Sequence, residues 1–151
     1  KATWLEFRRV LFRSSILVKE LDYNNIRLLN KNTLGETEVT KVEQSALKYS
    51  SLNEVNYLAY EEITEEYHNE LYGYLEASKL LYAYKNAHPD PKLKYFNTNN
   101  NKTYDSILSR YVRDQIHHPE NQENVRFTQE QLKQSTIMMR NFIINLKNQK
   151  S

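Results

Sequence analysis

Ser51-Leu52-Asn53-Glu54-Val55 opens the stretch whose reading decides the fold. A serine three residues ahead of a glutamate is a helix start signal, in which each side chain can satisfy a backbone N–H of the other. Val55, Ala59, Ile63, Tyr67, Leu71, Tyr74, Ser78 and Leu81 then recur at helical spacing, which predicts one long helix or two end to end. Acids come early (Glu54, Glu61, Glu62, Glu65, Glu66) and Lys79 and Lys85 come late, as the helix dipole favours. The acids read as a solvated face rather than as metal ligands. Gly73 is the weak point, costing about 1 kcal/mol relative to alanine, and marks a place for a kink. His68 reads as a flank residue.

Downstream, residues 86 to 103 hold two of the three prolines (Pro89, Pro91) and the cluster Asn97-Thr98-Asn99-Asn100-Asn101, which predicts a loop with His88 exposed in it. A third helix follows, with Tyr104, Ile107, Leu108, Tyr111, Val112 and Gln115 near one face, and Pro119 stops it. Thr128 and Gln131 form a second start signal for a last helix packed through Leu132, Met139, Phe142, Ile143 and Leu146.

Upstream, Asn25 to Leu29 and Glu36 to Val42 read as short extended runs around the turn residues Asn32-Thr33-Leu34-Gly35, which predicts a β-hairpin. A lone hairpin is marginal in water, so this one reads as the trailing edge of an upstream domain. The organisation expected is therefore a hairpin and linker over 15 to 50 and a helical domain over 51 to 151.

Leu5 to Ser14 matches, residue for residue, the translation of a common sequencing-library adapter. The adapter codon ahead of Leu5 is TGA, which yields Trp4 only under a code that reads TGA as tryptophan. Residues 1 to 14 are accordingly read as non-native and the chain as a fragment of a longer gene. The rival reading is a basic amphipathic leader. Without those residues the basic groups fall from 21 to 17 and the acids from 19 to 18, moving the formal charge from +2 to −1. The slightly basic whole chain is thus no argument for nucleic acid.

Composition agrees with helices. Only 2 glycines and 3 prolines in 151 residues disfavour a turn-rich sandwich or barrel. The 12 tyrosines, seven of them between Tyr57 and Tyr84, read as amphipathic packing on helix flanks rather than as a stacking platform. The absence of cysteine removes disulfides, thiolate zinc sites and a cysteine nucleophile, and fits a reducing cytoplasm. No apolar run approaches the roughly 20 residues of a membrane helix, so no membrane partner is expected.

The chemistry gathers in Arg113-Asp114-Gln115-Ile116-His117-His118, at the end of the third helix. Five residues on an ideal helix advance about 500°, so Arg113 and His118 share a face only if the helix is distorted. Pro119 disfavours helical geometry at His118 and frees its imidazole to swing back. His117, four residues from Arg113, shares its face better and is the rival. An imidazole titrates near neutrality and can move a proton, whereas a guanidinium stays charged and grips phosphate bidentately. Cleavage of RNA by its own 2′-OH needs both. His118 is therefore expected as general acid/base, Arg113 as phosphate and transition-state binder, and Asp114 as the group that orients one of them. Two other readings stand beside this one: a solvated helix terminus that collects cations, and a zinc site from His117, His118 and Glu120, which adjacent ligands on one turn serve badly.

Arg113, Asp114 and His118 fill the pattern Arg-polar-x-x-x-His, which resembles the signature of the HEPN superfamily. The order of elements is similar too, and the resemblance covers about residues 51 to 148. It implies an all-α bundle of four or five helices, often a metal-independent endoribonuclease of toxin and anti-phage defence systems. It further implies a homodimer whose two motifs face each other. The preceding hairpin resembles the exit from the ATPase domain of anticodon-nuclease-type defence proteins, where tRNA is the substrate. Any ATP site lies upstream of residue 15, since no Gly-rich phosphate loop is present here and no cofactor is expected within the chain. RNA and an antitoxin are the partners such a protein implies. Residues 102 to 151 carry eight basic groups against five acids, an excess that could steer RNA. The alternative is a HEPN-fold module that binds RNA or protein, or dimerises, without cleaving.

Overall fold

The computed structural model describes residues 27–31, 33–41, 44–48, 51–88 and 92–149. The adapter-like segment, Asn25, Ile26, Val42 and the Pro89-Asp90-Pro91 turn lie outside the described residues. The chain divides into two compact units, 1–62 and 63–151.

In the first unit, strands β1 (Arg27–Lys31) and β2 (Thr37–Lys41) pair antiparallel with Leu29 opposite Val39. Gly35 takes φ +80° in the connection, a conformation that favours glycine. Helix α1 (Leu52–Tyr60) starts where the Ser51 signal places it, with the hydroxyl accepting from the Glu54 N–H. Glu54 does not close the reciprocal box, nor does it lie on a solvated face. It is fully buried, its Oε1 accepting from the backbone N–H of Ala46 at 2.6 Å and of Leu47 at 3.2 Å, its Oε2 from Ser45 Oγ at 2.6 Å.

The expected long helix is broken twice. Helix α1 ends at Glu61, which takes φ +54°, and Thr64 caps a new helix, α2 (Glu65–Ala77), by accepting from the Tyr67 N–H. Helix α2 ends in a Schellman turn: Lys79 sits at φ +57°, its N–H reaches Glu76 O, and the Leu80 N–H reaches Leu75 O. Helix α3 (Leu81–Ala87) follows. Gly73, the expected kink, lies within α2.

Residues 92 to 107 correct the loop expectation and the all-α one. Strands β3 (Lys92–Asn97) and β4 (Lys102–Ile107) form a second antiparallel hairpin, with Tyr95 opposite Tyr104. Residues 98 to 101 turn the chain, with Asn101 at φ +53°. Helix α4 (Leu108–His117) therefore begins after Ile107, and Tyr104 belongs to a strand. Helix α5 (Gln129–Asn148) has the complete Thr128–Gln131 capping box that its sequence predicts.

The chain is mostly helical, with two short hairpins among the described residues. In the second unit α2, α4 and α5 pack on one another. Tyr67, Leu71 and Leu75 of α2, Val112 of α4, and Leu132, Met139 and Ile143 of α5 are essentially fully buried. Tyr67, Tyr72 and Tyr84 join this core, as amphipathic packing requires, while Tyr60 and Tyr82 stay exposed. His68 is buried rather than on a flank: its Nε2 meets Ser135 Oγ at 2.8 Å, Ser135 donates to Ser109 Oγ at 2.8 Å, and Ser109 meets the Tyr84 hydroxyl at 2.6 Å. This chain of hydrogen bonds ties α2, α5, α4 and α3 through the middle of the core. No helix among the described residues is long and apolar enough to cross a membrane.

Candidate functional site

The second hairpin and the end of α4 together make the site. Asn124 holds them in register, accepting from the Phe96 N–H at 2.7 Å and donating to Phe96 O at 2.9 Å, so its amide takes the place of a third strand. Asn121 adds a bond to the same carbonyl at 2.9 Å. Between the hairpin tip and the helix end lies a polar hollow of about 200 Å3. Its wall is made by Tyr95, Asn97, Asn99 and Tyr104 from the hairpin and by Arg110, Arg113, Asp114 and His118 from the helix end.

His118 reaches this hollow because it has left the helix. Its φ and ψ are −125° and 62°, and its N–H still closes the last turn on Asp114 O. Pro119 disfavours the helical region for the residue before it, which accounts for the departure. The imidazole is half exposed, and its Nδ1 lies 3.3 Å from Glu120 Oε1. The Glu120 carboxyl is held below its ordinary range, first by a bond from its own backbone N–H and then by His118. A carboxylate facing Nδ1 favours the tautomer with its proton there, leaving the Nε2 lone pair for other work. His117 is exposed and takes no part in lining the hollow.

Asp114 is the fixed point of the wall. It is 6% exposed, accepts from the Tyr104 hydroxyl at 2.7 Å, and faces Arg110 Nε at 3.4 Å and Arg113 Nη1 at 3.3 Å. It thus orients the arginines, not a histidine. Burial pushes the Tyr104 hydroxyl up to about 12, and the hydrogen bond to Asp114 adds to it, so Tyr104 stays a donor at any working pH. Burial opposes the charge on Arg110, but Asp114 and the phenols of Tyr104 and Tyr72 outweigh it and raise its pKa. The Arg110 guanidinium lies 4.9 Å from the Tyr104 ring centre and that of Arg113 lies 5.5 Å from the Tyr72 ring centre, within cation–π range. Two positive planar groups are thereby held by a carboxylate and two rings, each keeping further N–H donors for a ligand.

Arg113, Asp114 and His118 are brought together, and His117 is left out. Arg110, Tyr104 and the hairpin tip are functional candidates that sequence reasoning missed, and Glu120, weighed there only as a zinc ligand, instead faces His118. Arg110 was legible as the i,i+4 partner of Asp114. His88, expected exposed in a loop, instead caps α3 and lies against the Tyr84 ring at 4.6 Å. Among the basic groups of residues 102 to 151, Arg140 is buried and cannot face RNA. No cluster of three metal-ligating side chains occurs among the described residues, His117, His118 and Glu120 included. Comparison with family models, curated proteins and solved structures returns no match.

Proposed function

We propose that the second unit is a HEPN-like endoribonuclease that cleaves RNA without a metal ion, working as a homodimer. The observation that carries this reading is that Arg113 and His118, five residues apart, line one polar hollow with Arg110 beside them. In the reaction His118 Nε2 takes the proton of a ribose 2′-OH as its oxygen attacks the adjacent phosphorus. Arg113 and Arg110 bind the non-bridging oxygens, where negative charge builds up. The P–O5′ bond breaks, and the His118 imidazolium of the opposing copy gives its proton to the leaving oxygen. The products are a 2′,3′-cyclic phosphate and a 5′-hydroxyl, so atoms and charge balance. A role in toxin or anti-phage defence, tRNA as the target and an upstream ATPase domain follow from the family resemblance alone.

Single-stranded RNA incubated with the full chain in a metal chelator tests the reading. Cleavage with cyclic phosphate ends is the expected result. Tight binding with intact RNA would support instead the RNA-binding module, for which the same arginines suffice. Intact RNA without binding would remove both.

A further inference from the structure

His118 and Asn121 line two hollows in common. The second, of about 250 Å3, has Gln115, Gln122, Asn124 and Arg126 as most of its remaining wall. Neither hollow reaches the roughly 300–1,000 Å3 of a pocket that engulfs a drug-sized ligand. A ligand that uses both must be narrow and must pass His118 and Asn121, which the two hollows share.

Most polar groups of the second wall are committed to the fold. Gln115 donates to Val125 O at 2.8 Å and accepts from the Phe127 N–H at 3.0 Å. Asn124 is spent on Phe96. Arg126 donates to Gln115 O at 2.8 Å and pairs with Glu65 at 2.7 Å. These bonds make the wall stiff. Gln122 is exposed and its side-chain amide is not spent on any of these bonds. Asn99 plays the same part in the first hollow: its backbone N–H bonds to Asn97 Oδ1, and its side-chain amide makes no hydrogen bond among the described residues. One uncommitted amide therefore lines each hollow, and an amide can pair with the edge of a base by donating and accepting at once. Bases splayed from a single strand can enter two such hollows, whereas bases in a duplex are stacked and their edges are out of reach.

We propose that the two hollows hold consecutive nucleotides of single-stranded RNA, with the phosphate between them at His118 and the flanking bases read by Asn99 and Gln122. This rests on the ribonuclease reading for the choice of ligand, and its test does not require cleavage. The probe is a 2′-deoxy dinucleoside monophosphate, which has no 2′-OH and cannot be cut, titrated into the isotope-labelled full chain and followed by NMR. The side-chain amides are assigned from Asn99→Ala and Gln122→Ala, both at exposed positions. The dinucleotide is expected to shift both amides, while a mononucleotide shifts those of one hollow. Each alanine variant should weaken the dinucleotide about fivefold, the loss of one ordinary hydrogen bond. Shifts confined to one side, binding indifferent to both substitutions, or no binding at millimolar dinucleotide would overturn the proposal. A chain that cuts RNA yet shows shifts on one side only loses the two-nucleotide site and keeps the nuclease. A chain that shows both shifts yet leaves RNA intact keeps the site and loses the nuclease.

Discussion

Asp114 carries more of the site than its place in the sequence motif suggests. One buried carboxylate receives a tyrosine hydroxyl from β4 and two guanidinium groups from its own helix α4. Because Arg110 and Arg113 are partly exposed, each ion pair by itself adds little stability. Asp114 itself is buried and accepts the Tyr104 hydroxyl at 2.7 Å. Asp114→Ala should therefore lower the unfolding free energy by about 1–3 kcal/mol, as expected when partners of a buried acceptor lose it. Denaturant titration measures this, and a change within error would mean that the carboxylate does not organise the wall. The choice between His117 and His118 is also made at this scale. The sequence shows two adjacent histidines, and periodicity favours His117. The proline that follows decides otherwise, because it alters the backbone of His118 alone.

At the scale of elements, the breaks in the helices depend on residues that seldom announce a break. Lys79 and Glu61 take the left-handed conformation that glycine usually supplies, and Gly73, the residue that looks like a break, lies in regular helix. A Cβ on Gly73 would meet nothing within 4 Å. Gly73→Ala should thus stabilise the second unit by about 0.5–1 kcal/mol, which for a unit of this size raises Tm by a few degrees. A fall in Tm would show that α2 is not straight through Gly73. The caps at Ser51 and Thr128 and the first hairpin were legible, because each rests on a local pattern. The second hairpin was not read, although Lys92-Leu93-Lys94-Tyr95 alternates and an asparagine-rich turn follows it. Tyr104 and Ile107 continue the spacing of Leu108 and Tyr111, so a helical period masked a strand. Half of the site lay in that misread segment. The aromatic and amide wall was therefore invisible, while the helix-borne Arg113, Asp114 and His118 were found.

For the molecule as a whole, the burial of His68 in the core makes stability depend on pH. Burial holds His68 down to about 3 from an ordinary 6.5, with Asn69 opposing only weakly. Between those values the unfolded chain binds a proton that the folded one does not, so stability falls as pH drops below about 6.5. The slope approaches 1.4 kcal/mol per pH unit. His68→Gln should flatten the profile over that range, and an equally steep profile in the variant would place its origin elsewhere. Charge gives a weaker guide to the molecule than geometry does. The basic excess near the motif includes a buried arginine, and Asp114 lies between two more. The direct test of the central claim is the rate of RNA cleavage in a metal chelator by the parent, His118→Ala and His117→Ala, each with its Tm measured alongside. Removing a positioned acid/base should lower the rate about 100- to 10,000-fold in His118→Ala, with a change of about 0.5 kcal/mol or less in stability and a milder loss in His117→Ala. Equal rates in all three, or inactivity of His117→Ala alone, would contradict it.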